Sequence, residues 1–251
     1  MSSLKVEFIP PFIAHRGAPK LAPENSLESF IVARDSGAKW IETDVKLTSD
    51  GIPILIHDET LDRTTNGQGL VSQTSWKTIQ TLDAGSWFSP AFSNTRVTSL
   101  TEMLTFCSSS RMRLILELKP SPGRTQATVM VTLIEASKMW PENLAPPMIA
   151  SFDVDSLVIS AQLRPDWPRG LFFEKWENDW VEMAVITQAT TITFKEDLLT
   201  PDRLEILRRS PVPILAYTVD DPARAKELMK NGIKAVFSDD VPALFKGRIL
   251  S

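Results

Sequence analysis

Short apolar runs alternate with longer amphipathic stretches along almost the whole chain. The runs have the length of buried strands, and the stretches between them show the apolar spacing and the capping residues of helices. We predict strands at Phe12–His15, Trp40–Val45, Leu114–Leu118, Met148–Phe152, Gly170–Phe173, Thr191–Phe194, Ile214–Val219 and Ala235–Ser238. This order of elements favours an α/β fold with a parallel sheet.

The segments between the strands predict helices, because each begins at a capping residue or ends at a residue that breaks helices. They read NSLESFIVARDSG, TSLTEMLTFCSSS, RTQATVMVTLIEASKMW, DVDSLVISAQLRP, NDWVEMAVITQ, TPDRLEILRRS and DDPARAKELMKNG. Strands that alternate with helices in this way close into a parallel barrel. The sequence therefore predicts a TIM (β/α)8 barrel, with residues 1–251 forming one catalytic domain.

The stretch after the second strand departs from this alternation. Between Asp44 and His57 the chain is too short for a parallel return, which needs roughly a dozen connecting residues besides the strands. The pair Asp50-Gly51 is typical of a two-residue hairpin turn, since glycine adopts positive φ without strain. Counting outward from this turn pairs Asp44 with His57, so a β-hairpin would return the histidine to the level of the carboxylate.

Residues 58–97 carry many Thr, Ser, Gly and Asn residues with little sustained periodicity. This composition is typical of loops and short irregular elements. We interpret the segment as a small insertion that leaves the barrel at the mouth where His57 lies. It is placed to cover one side of a pocket there.

Composition excludes several classes of function. Of the 251 residues, 43% are hydrophobic and 23% are charged, and the net charge of -4 gives no basic surface for a nucleic-acid partner. Cys107 is the only cysteine, and the N-terminus lacks a signal-peptide pattern, which together favour a cytoplasmic location. No apolar run reaches the about 18 residues that a membrane span requires, so stable membrane insertion is not expected.

Residues capable of chemistry lie at the ends of three predicted strands. They are His15 and Arg16 after the first strand, Glu42 and Asp44 in the second, and Glu117 and Lys119 in the next barrel strand. In a parallel barrel every strand ends at the same face, where active sites are built from strand ends and the following loops. With His57 at the end of the hairpin, these side chains are expected to converge on one mouth.

The three carboxylates predict a cation site. Glu42, Asp44 and Glu117 lie inside apolar strands, and carboxylates so placed are costly unless they are paired or bound to a metal. Ordinary solvated charges are the alternative interpretation. An all-carboxylate set without thiols suits a hard cation, Mg²⁺ or Ca²⁺, better than zinc. Arg16 and Lys119 would add positive charge beside the cation, which favours a phosphate ligand.

The histidines and a loop motif carry weaker signals when taken singly. His15 alone is most simply a hydrogen-bonded structural residue, but two histidines at one barrel face favour a catalytic pair. The motif APENS predicts a helix start capped by Asn25 or Ser26. Glu24 in the same motif is also placed to brace Arg16.

Several motifs resemble the glycerophosphodiester phosphodiesterase family, and most of all its short bacterial cytosolic members. They are IAHRGAPKLAPENSLESF, WIETDVKLTSDGIPILIHDETLDRTTNG, LILELKP, ASFD and LAYTVDDPARAKELMKNGIKAVFSDD. The similarity runs from about Phe12 to Asp240. It implies a TIM barrel with a small insertion, deacylated phospholipids as small-molecule substrates, and sn-glycerol 3-phosphate and an alcohol as products.

The resemblance also implies a role for individual residues by motif position. These roles are acid and base for His15 and His57, cation ligands for Glu42, Asp44 and Glu117, and phosphate contacts for Arg16 and Lys119. Tyr217 stands where the family often has Trp, which would alter the pocket wall and leave the chemistry intact. With Phe152, it is expected to contact the glycerol part of the substrate.

The residues predict metal-dependent cleavage of a phosphodiester. One neutral histidine would remove a proton from the attacking oxygen, while the other, protonated, gives one to the departing alcohol. We favour His15 as the base and His57 as the acid, an order that the sequence does not fix. The attacking oxygen is water or the neighbouring glycerol hydroxyl; the second route forms a cyclic phosphate, as in the similar phosphoinositide phospholipase barrels. Neither the head group nor the oligomeric state is assigned.

A barrel that only binds a phosphorylated ligand or a partner protein is the hypothesis from another class. It predicts that at least one acid, base or ligand is missing, and none is missing from this sequence. The complete set therefore favours an enzyme.

Overall fold

The computed structural model describes residues 8–246, and within them nine strands form one sheet. The strands are β1 (Phe12–His15), β2 (Trp40–Leu47), β3 (Pro53–Leu55), β4 (Arg113–Leu118), β5 (Met148–Ser151), β6 (Arg169–Phe173), β7 (Thr191–Lys195), β8 (Ile214–Tyr217) and β9 (Ala235–Ser238). Strand β1 pairs in parallel with both β2 and β9, which closes the sheet into a barrel. Strand β3 lies antiparallel against β2, outside the parallel set. The predicted TIM (β/α)8 barrel is confirmed.

Helices follow the barrel strands along the chain. Those of the described residues are α1 (Leu27–Asp35), α2 (Trp76–Ile79), α3 (Leu100–Ser110), α4 (Thr125–Met139), α5 (Val154–Leu163), α6 (Trp180–Ile186), α7 (Pro201–Leu207), α8 (Pro222–Lys230) and α9 (Val241–Lys246). None of these helices is long and apolar enough to cross a membrane.

The helix starts follow from local capping chemistry. The Ser26 hydroxyl accepts a hydrogen bond from the Ser29 N–H at 3.2 Å, so Ser26, one of the two predicted candidates, caps α1. At α3, Ser99 and Glu102 form a reciprocal capping box. Asn25, the other candidate, turns its side chain toward β2 instead.

All eight predicted barrel strands are present, with ends that differ by at most two residues from the prediction. Phe152 lies just beyond β5 and Val219 beyond β8. Helix α9 is absent from the prediction because its apolar run is too short to show helical periodicity. Residues 1–7 and 247–251 of the predicted domain lie outside the described residues.

The predicted hairpin is present, but its predicted register is wrong by one residue. Val45 lies opposite Leu55 in the observed ladder. Asp44 therefore comes level with Ile56, whose N–H donates to the Asp44 carbonyl at 3.2 Å. His57 is one residue further on and lies outside the ladder, so pairing does not fix the face on which its side chain lies.

The register differs because the hairpin loop contains three residues, 49–51, where the sequence predicts two. The Thr48 hydroxyl accepts a hydrogen bond from the Ile52 N–H at 2.9 Å and donates to Asp50 at 2.6 Å. These bonds make Thr48 and Ile52 the residues that flank the loop. Gly51 closes it with φ of 81°, the positive value that favours glycine in such loops.

The inward row of side chains on β2 changes from apolar to charged along the strand. Trp40 packs in the apolar cluster inside the barrel. Glu42 and Asp44 follow at two-residue spacing, and both are fully buried. Lys46, next in the row, lines the pocket at the mouth. One strand thus contributes both to the apolar floor of the barrel and to the charged site above it.

The segment between β3 and α3 has an apolar cluster of its own. Its buried members are Ile54, Ile56, Leu61, Val71, Ile79 and Val97. The segment contains α2 and an antiparallel bridge between Thr60 and Leu70. Because Ile54 and Ile56 flank the end of β3, this cluster anchors the residues that follow the hairpin, His57 among them.

Candidate active site

A cavity of about 710 Å³ opens at the carboxyl ends of the barrel strands. The predicted site residues that line it are His15, Arg16, His57, Glu117, Lys119, Phe152 and Tyr217. Glu42 and Asp44 are fully buried and adjoin the cavity through Glu117. The fold therefore brings all nine predicted site residues together, and their separate roles stay predictions.

The three carboxylates form one cluster. Asp44 and Glu117 are direct partners in the parallel ladder between β2 and β4, and one oxygen from each of the three side chains lies within 4.8 Å of the others. Burial, together with repulsion from Asp44 and Glu117, raises the pKa of Glu42 well above its ordinary value. Burial and the charge of Asp44 likewise raise the pKa of Glu117 to about 7.

Asp44 stays ionised because cations and an amide surround it. Burial alone would raise its pKa, but Arg16 and Lys119 lower it to about 2. The Arg16 Nε lies 3.3 Å and the Lys119 Nζ 3.6 Å from its carboxylate. The Asn25 side-chain amide donates to the same carboxylate at 2.8 Å.

The cluster fits a divalent cation. One oxygen each of Glu42, Asp44 and Glu117 is buried without a hydrogen-bond partner, which is costly unless another ligand completes it. Lys119, whose Nζ lies 3.2 Å from Glu117, supplies part of the missing positive charge. Clustered carboxylate oxygens are the donors that Mg²⁺ and Ca²⁺ prefer. A divalent cation would offset the burial and the mutual repulsion that raise the pKa values of Glu42 and Glu117.

His15 is held by a carboxylate from the far end of the chain. Its Nδ1 lies 2.6 Å from Asp239, directly after β9, and its Nε2 faces Glu42 at 3.9 Å. The Asp239 backbone N–H donates to Asp220 at 2.8 Å, which fixes the loop that carries the carboxylate. Sequence reasoning missed Asp239, although its position after the last strand is the signal that identified the other site residues.

His57 is held by its neighbour in the sequence. Its Nδ1 lies 2.7 Å from Asp58, which in turn accepts a hydrogen bond from Arg63 Nε at 2.6 Å. Burial lowers the pKa of His57, and the cations Arg16 and Lys119 lower it further, while Asp44 opposes them. The imidazole is therefore mostly neutral at pH 7. Asp58 and Arg63 are further residues that sequence reasoning did not assign to the site.

The loop between β1 and α1 carries Arg16 into the site. Arg16 has a φ of 52°, and its N–H donates to Glu42 at 3.2 Å while its guanidinium donates to Glu24 at 3.1 Å. The predicted brace by Glu24 is confirmed. Gly17 follows with φ of 93°, and a Cβ there would lie 2.3 Å from the Ser29 hydroxyl, so the turn requires glycine.

Asn25 was predicted only as a possible helix cap, and the structure gives it a different contact. Besides holding Asp44, its side-chain oxygen accepts a hydrogen bond from the Thr43 hydroxyl at 2.6 Å. Its own φ of 57° lies in the left-handed region that Asn tolerates better than most residues. Asn25 thereby fixes the orientation of Asp44 in the carboxylate cluster.

One wall of the cavity is aromatic. Phe152 and Tyr217 contact each other edge to face with ring centroids 5.7 Å apart, and Phe172 stacks on Tyr217 at 6.1 Å. The Tyr217 hydroxyl donates to the Phe173 carbonyl at 3.2 Å, and burial raises its pKa, so the phenol stays neutral. Phe152 is 37% exposed and lies 5.8 Å from Lys119 Nζ. An uncharged part of a ligand would fit against this wall.

Polar residues that were not predicted also line the cavity, among them Lys46, Glu59 and Ser121. Lys46 is fully buried, and its ammonium donates to Glu59 and to the Lys119 carbonyl. The Ser121 hydroxyl donates to the other Glu59 oxygen at 2.8 Å. Glu59 follows His57 by two residues in the chain, and both line the cavity.

Comparison with known proteins places this arrangement in one family. Residues 15–243 match the Glycerophosphoryl diester phosphodiesterase family. A glycerophosphodiester phosphodiesterase from Caldanaerobacter subterraneus subsp. tengcongensis is 32% identical over 92% of this chain and 95% of the relative. A glycerophosphodiester phosphodiesterase from Bacillus subtilis is 30% identical over 93% of this chain and 84% of the relative.

Two solved structures resemble this chain in fold. An Oleispira antarctica phosphodiesterase in complex with the product sn-glycerol-3-phosphate has a TM-score of 0.92 and 33% identity, covering 96% of this chain and 97% of that one. A Silicibacter pomeroyi protein at 20% identity and a TM-score of 0.84 shares the fold. The family match spans all nine predicted site residues, from His15 to Tyr217. This chain belongs to the glycerophosphoryl diester phosphodiesterase family.

Proposed function

We propose that this protein hydrolyses glycerophosphodiesters to sn-glycerol 3-phosphate and an alcohol, using a divalent cation and two histidines. The observation that carries the proposal is the convergence of three buried carboxylates, two imidazoles and two cations at one barrel mouth. Such a set provides an acid, a base and charge stabilisation within one cavity, as phosphodiester cleavage requires.

Charge neutralisation comes first, because the anionic diester repels nucleophiles. A Mg²⁺ or Ca²⁺ ion held by Glu42, Asp44 and Glu117 would act as a Lewis acid on the phosphate. Arg16 and Lys119 line the cavity beside these carboxylates and would bind the phosphate oxygens. The aromatic wall with Phe152 and Tyr217 would hold the glycerol part by apolar contact.

Proton transfer falls to the histidines, each of which uses Nδ1 for a carboxylate and keeps Nε2 for the reaction. We assign His15 as the base. Asp239 makes no second ion pair among residues 8–246, and its carboxylate would hold His15 in one orientation with Nε2 toward the reacting groups.

We assign His57 as the acid. Its lowered pKa makes the protonated form a strong donor but reduces the protonated fraction in the free protein. The negative charge of a bound diester would shift that pKa upward again.

The attacking oxygen defines a second candidate. Water yields sn-glycerol 3-phosphate directly, whereas a glycerol hydroxyl next to the phosphate yields a cyclic phosphate that is hydrolysed afterwards. The rings of Phe152 and Tyr217 contact each other in the cavity wall. A glycerol group packed against them would be held beside the phosphate, which would favour the cyclic route.

The test is product identification. Purified protein is incubated with glycerophosphocholine and Mg²⁺, Ca²⁺ or EDTA, and ³¹P NMR follows the phosphorus. We expect sn-glycerol 3-phosphate with a divalent ion and no turnover with EDTA. Phosphocholine as the product, or unchanged diester under all three conditions, would refute the proposal. A transient cyclic phosphate signal would establish the cyclic route.

A further inference from the structure

Arg63, in the segment between β3 and α3, bridges two carboxylates at the rim of the site. Its Nη1 and Nη2 donate to the two oxygens of Glu24 at 2.7 and 2.8 Å. Its Nε and Nη2 donate to the two oxygens of Asp58 at 2.6 and 3.0 Å. Paired bonds to both carboxylates use the planar fork of a guanidinium, which fixes direction as well as distance.

Each bridged carboxylate also holds a residue that lines the cavity. Asp58 contacts His57 Nδ1 at 2.7 Å, and we name these two residues the acid arm. Glu24 contacts Arg16 Nη1 at 3.1 Å, and we name these two the phosphate arm. The arms belong to different parts of the chain, since one follows the hairpin and the other follows β1.

We infer that Arg63 is a positioning residue that locks the acid arm to the phosphate arm, so that proton donation and phosphate binding depend on each other. The inference rests on the proposed function of the same site. The segment after the hairpin thereby takes part in the reaction, because it provides the Arg63 guanidinium that sets the distance between the two arms.

A stabilising salt bridge is the competing explanation. The Arg63 side chain is 43% exposed but that of Glu24 only 10%, so the experiment below separates the two roles by measuring melting temperature beside kinetics. Positioning partners of active-site histidines and ligands typically cost about 10–100-fold in activity when removed. Lysine cannot replace the bridge, because an ammonium is a point charge that lacks the fork.

The experiment compares Arg63→Gln and Arg63→Lys with the wild-type protein. Arg96→Gln is the matched control, since Arg96 lies in the same segment and, among residues 8–246, donates to the carbonyls of Thr81 and Leu82 and to no side chain. Two substrates are used, glycerophosphocholine and p-nitrophenyl glycerophosphate, whose leaving group departs without an acid. Melting temperatures monitor folding.

We expect Arg63→Gln to lower kcat on glycerophosphocholine about 10–100-fold and to lower it much less on the p-nitrophenyl ester. KM should rise on both substrates because Glu24, which braces Arg16, is no longer held by Arg63. Free guanidinium, at concentrations that leave the melting temperature unchanged, should restore part of the activity. Arg63→Lys should resemble Arg63→Gln, and Arg96→Gln should resemble wild type.

A double-mutant cycle tests the lock itself. Asp58→Asn and Glu24→Gln are measured singly and together, once with Arg63 present and once in the Arg63→Gln background. With Arg63 present, we expect the loss of activity in the double variant to differ from the product of the two single losses. With Arg63 replaced, we expect the two to be equal.

Three outcomes would overturn the inference. The first is wild-type kinetics in Arg63→Gln. The second is an equal loss of activity on both substrates together with a lower melting temperature. The third is a double-mutant cycle in which the two losses of activity multiply in both backgrounds. Failure of the proposed function is distinguishable, because the wild-type protein would then turn over neither substrate.

Discussion

The two histidines of the site are held in opposite ways. His15 ends a barrel strand, is 11% exposed, and takes its carboxylate from Asp239, 224 positions away. His57 follows a hairpin, is 31% exposed, and takes its carboxylate from the adjacent Asp58. The same imidazole–carboxylate pair is thus built once by closing the barrel and once by two neighbouring residues.

The contrast extends to the carboxylates behind the histidines. Asp58 shares its charge with Arg63, whereas Asp239 makes no other ion pair among the described residues. Under the proposed mechanism, the pair at His15 would orient the base and the pair at His57 would orient the acid. We expect the two histidines to differ in what their loss does to the reaction.

Removal of the cation should have the largest effect, because a Lewis acid would stabilise charge on the phosphate throughout the reaction, whereas each histidine would serve one proton transfer. EDTA, or Glu117→Gln, should lower turnover by about 10³-fold or more, since a Lewis acid contributes several kcal/mol to phosphate chemistry. Mg²⁺ or Ca²⁺ should restore the EDTA-treated protein. Full activity after stripping, confirmed by elemental analysis, would show that the carboxylates serve another purpose.

Loss of either histidine should cost about 10²–10⁴-fold on glycerophosphocholine, the usual contribution of one proton transfer. The leaving group separates them. His57→Ala should lose far less on p-nitrophenyl glycerophosphate, while His15→Ala should lose similar amounts on both substrates. The reverse pattern would exchange the roles, and near-normal turnover in both variants would make the histidines structural.

The carboxylate cluster should make the free energy of unfolding of the metal-free protein depend on pH. The pKa of Glu117 is about 7 in the folded state against an ordinary 4.5, so its contribution is complete below pH about 4.5 and is lost as pH rises through 7. The loss corresponds to about 3 kcal/mol. Urea midpoints measured from pH 4.5 to 7.5 in EDTA should fall more steeply for wild type than for Glu117→Gln.

Ca²⁺ or Mg²⁺ provides the control for that measurement. At pH 7.5 the ion should raise the wild-type urea midpoint, since it binds the ionised cluster of the folded state. Identical pH dependence in wild type and Glu117→Gln would refute the raised pKa.

The carboxylates that orient the histidines should give the smallest of these effects, about 10–100-fold in kcat. Asp239→Asn should lower turnover of both substrates, because it weakens the base. Asp58→Asn should lower turnover mainly of glycerophosphocholine, because it acts through the acid. Asp62→Asn is a suitable control, since within the described part of the chain the Asp62 carboxylate accepts a hydrogen bond from the Gly69 N–H and from no residue of the cavity. Equal behaviour of the two variants on both substrates would remove the distinction between the histidines.

The sequence by itself determined the barrel and the residues gathered at its mouth. Strand and helix periodicities are local, and a parallel barrel sends every strand end to one face. That rule was enough to place His15, Glu42, Asp44 and Glu117 together. It also applied to Asp239, which follows β9 directly, but no second signal in the sequence drew attention to that residue.

Only the tertiary structure decided which side chains contact each other. In the sequence, Asn25 shows only the pattern of a helix cap. In the fold, the loop after β1 brings its side chain into contact with Asp44. The hairpin register depended on a hydroxyl of Thr48 that converts a two-residue turn into a three-residue loop. Arg63 reaches Glu24 across 39 positions because the segment packs beside the barrel. Such contacts depend on closure and packing of the whole chain, and no local pattern of apolar and polar residues encodes them.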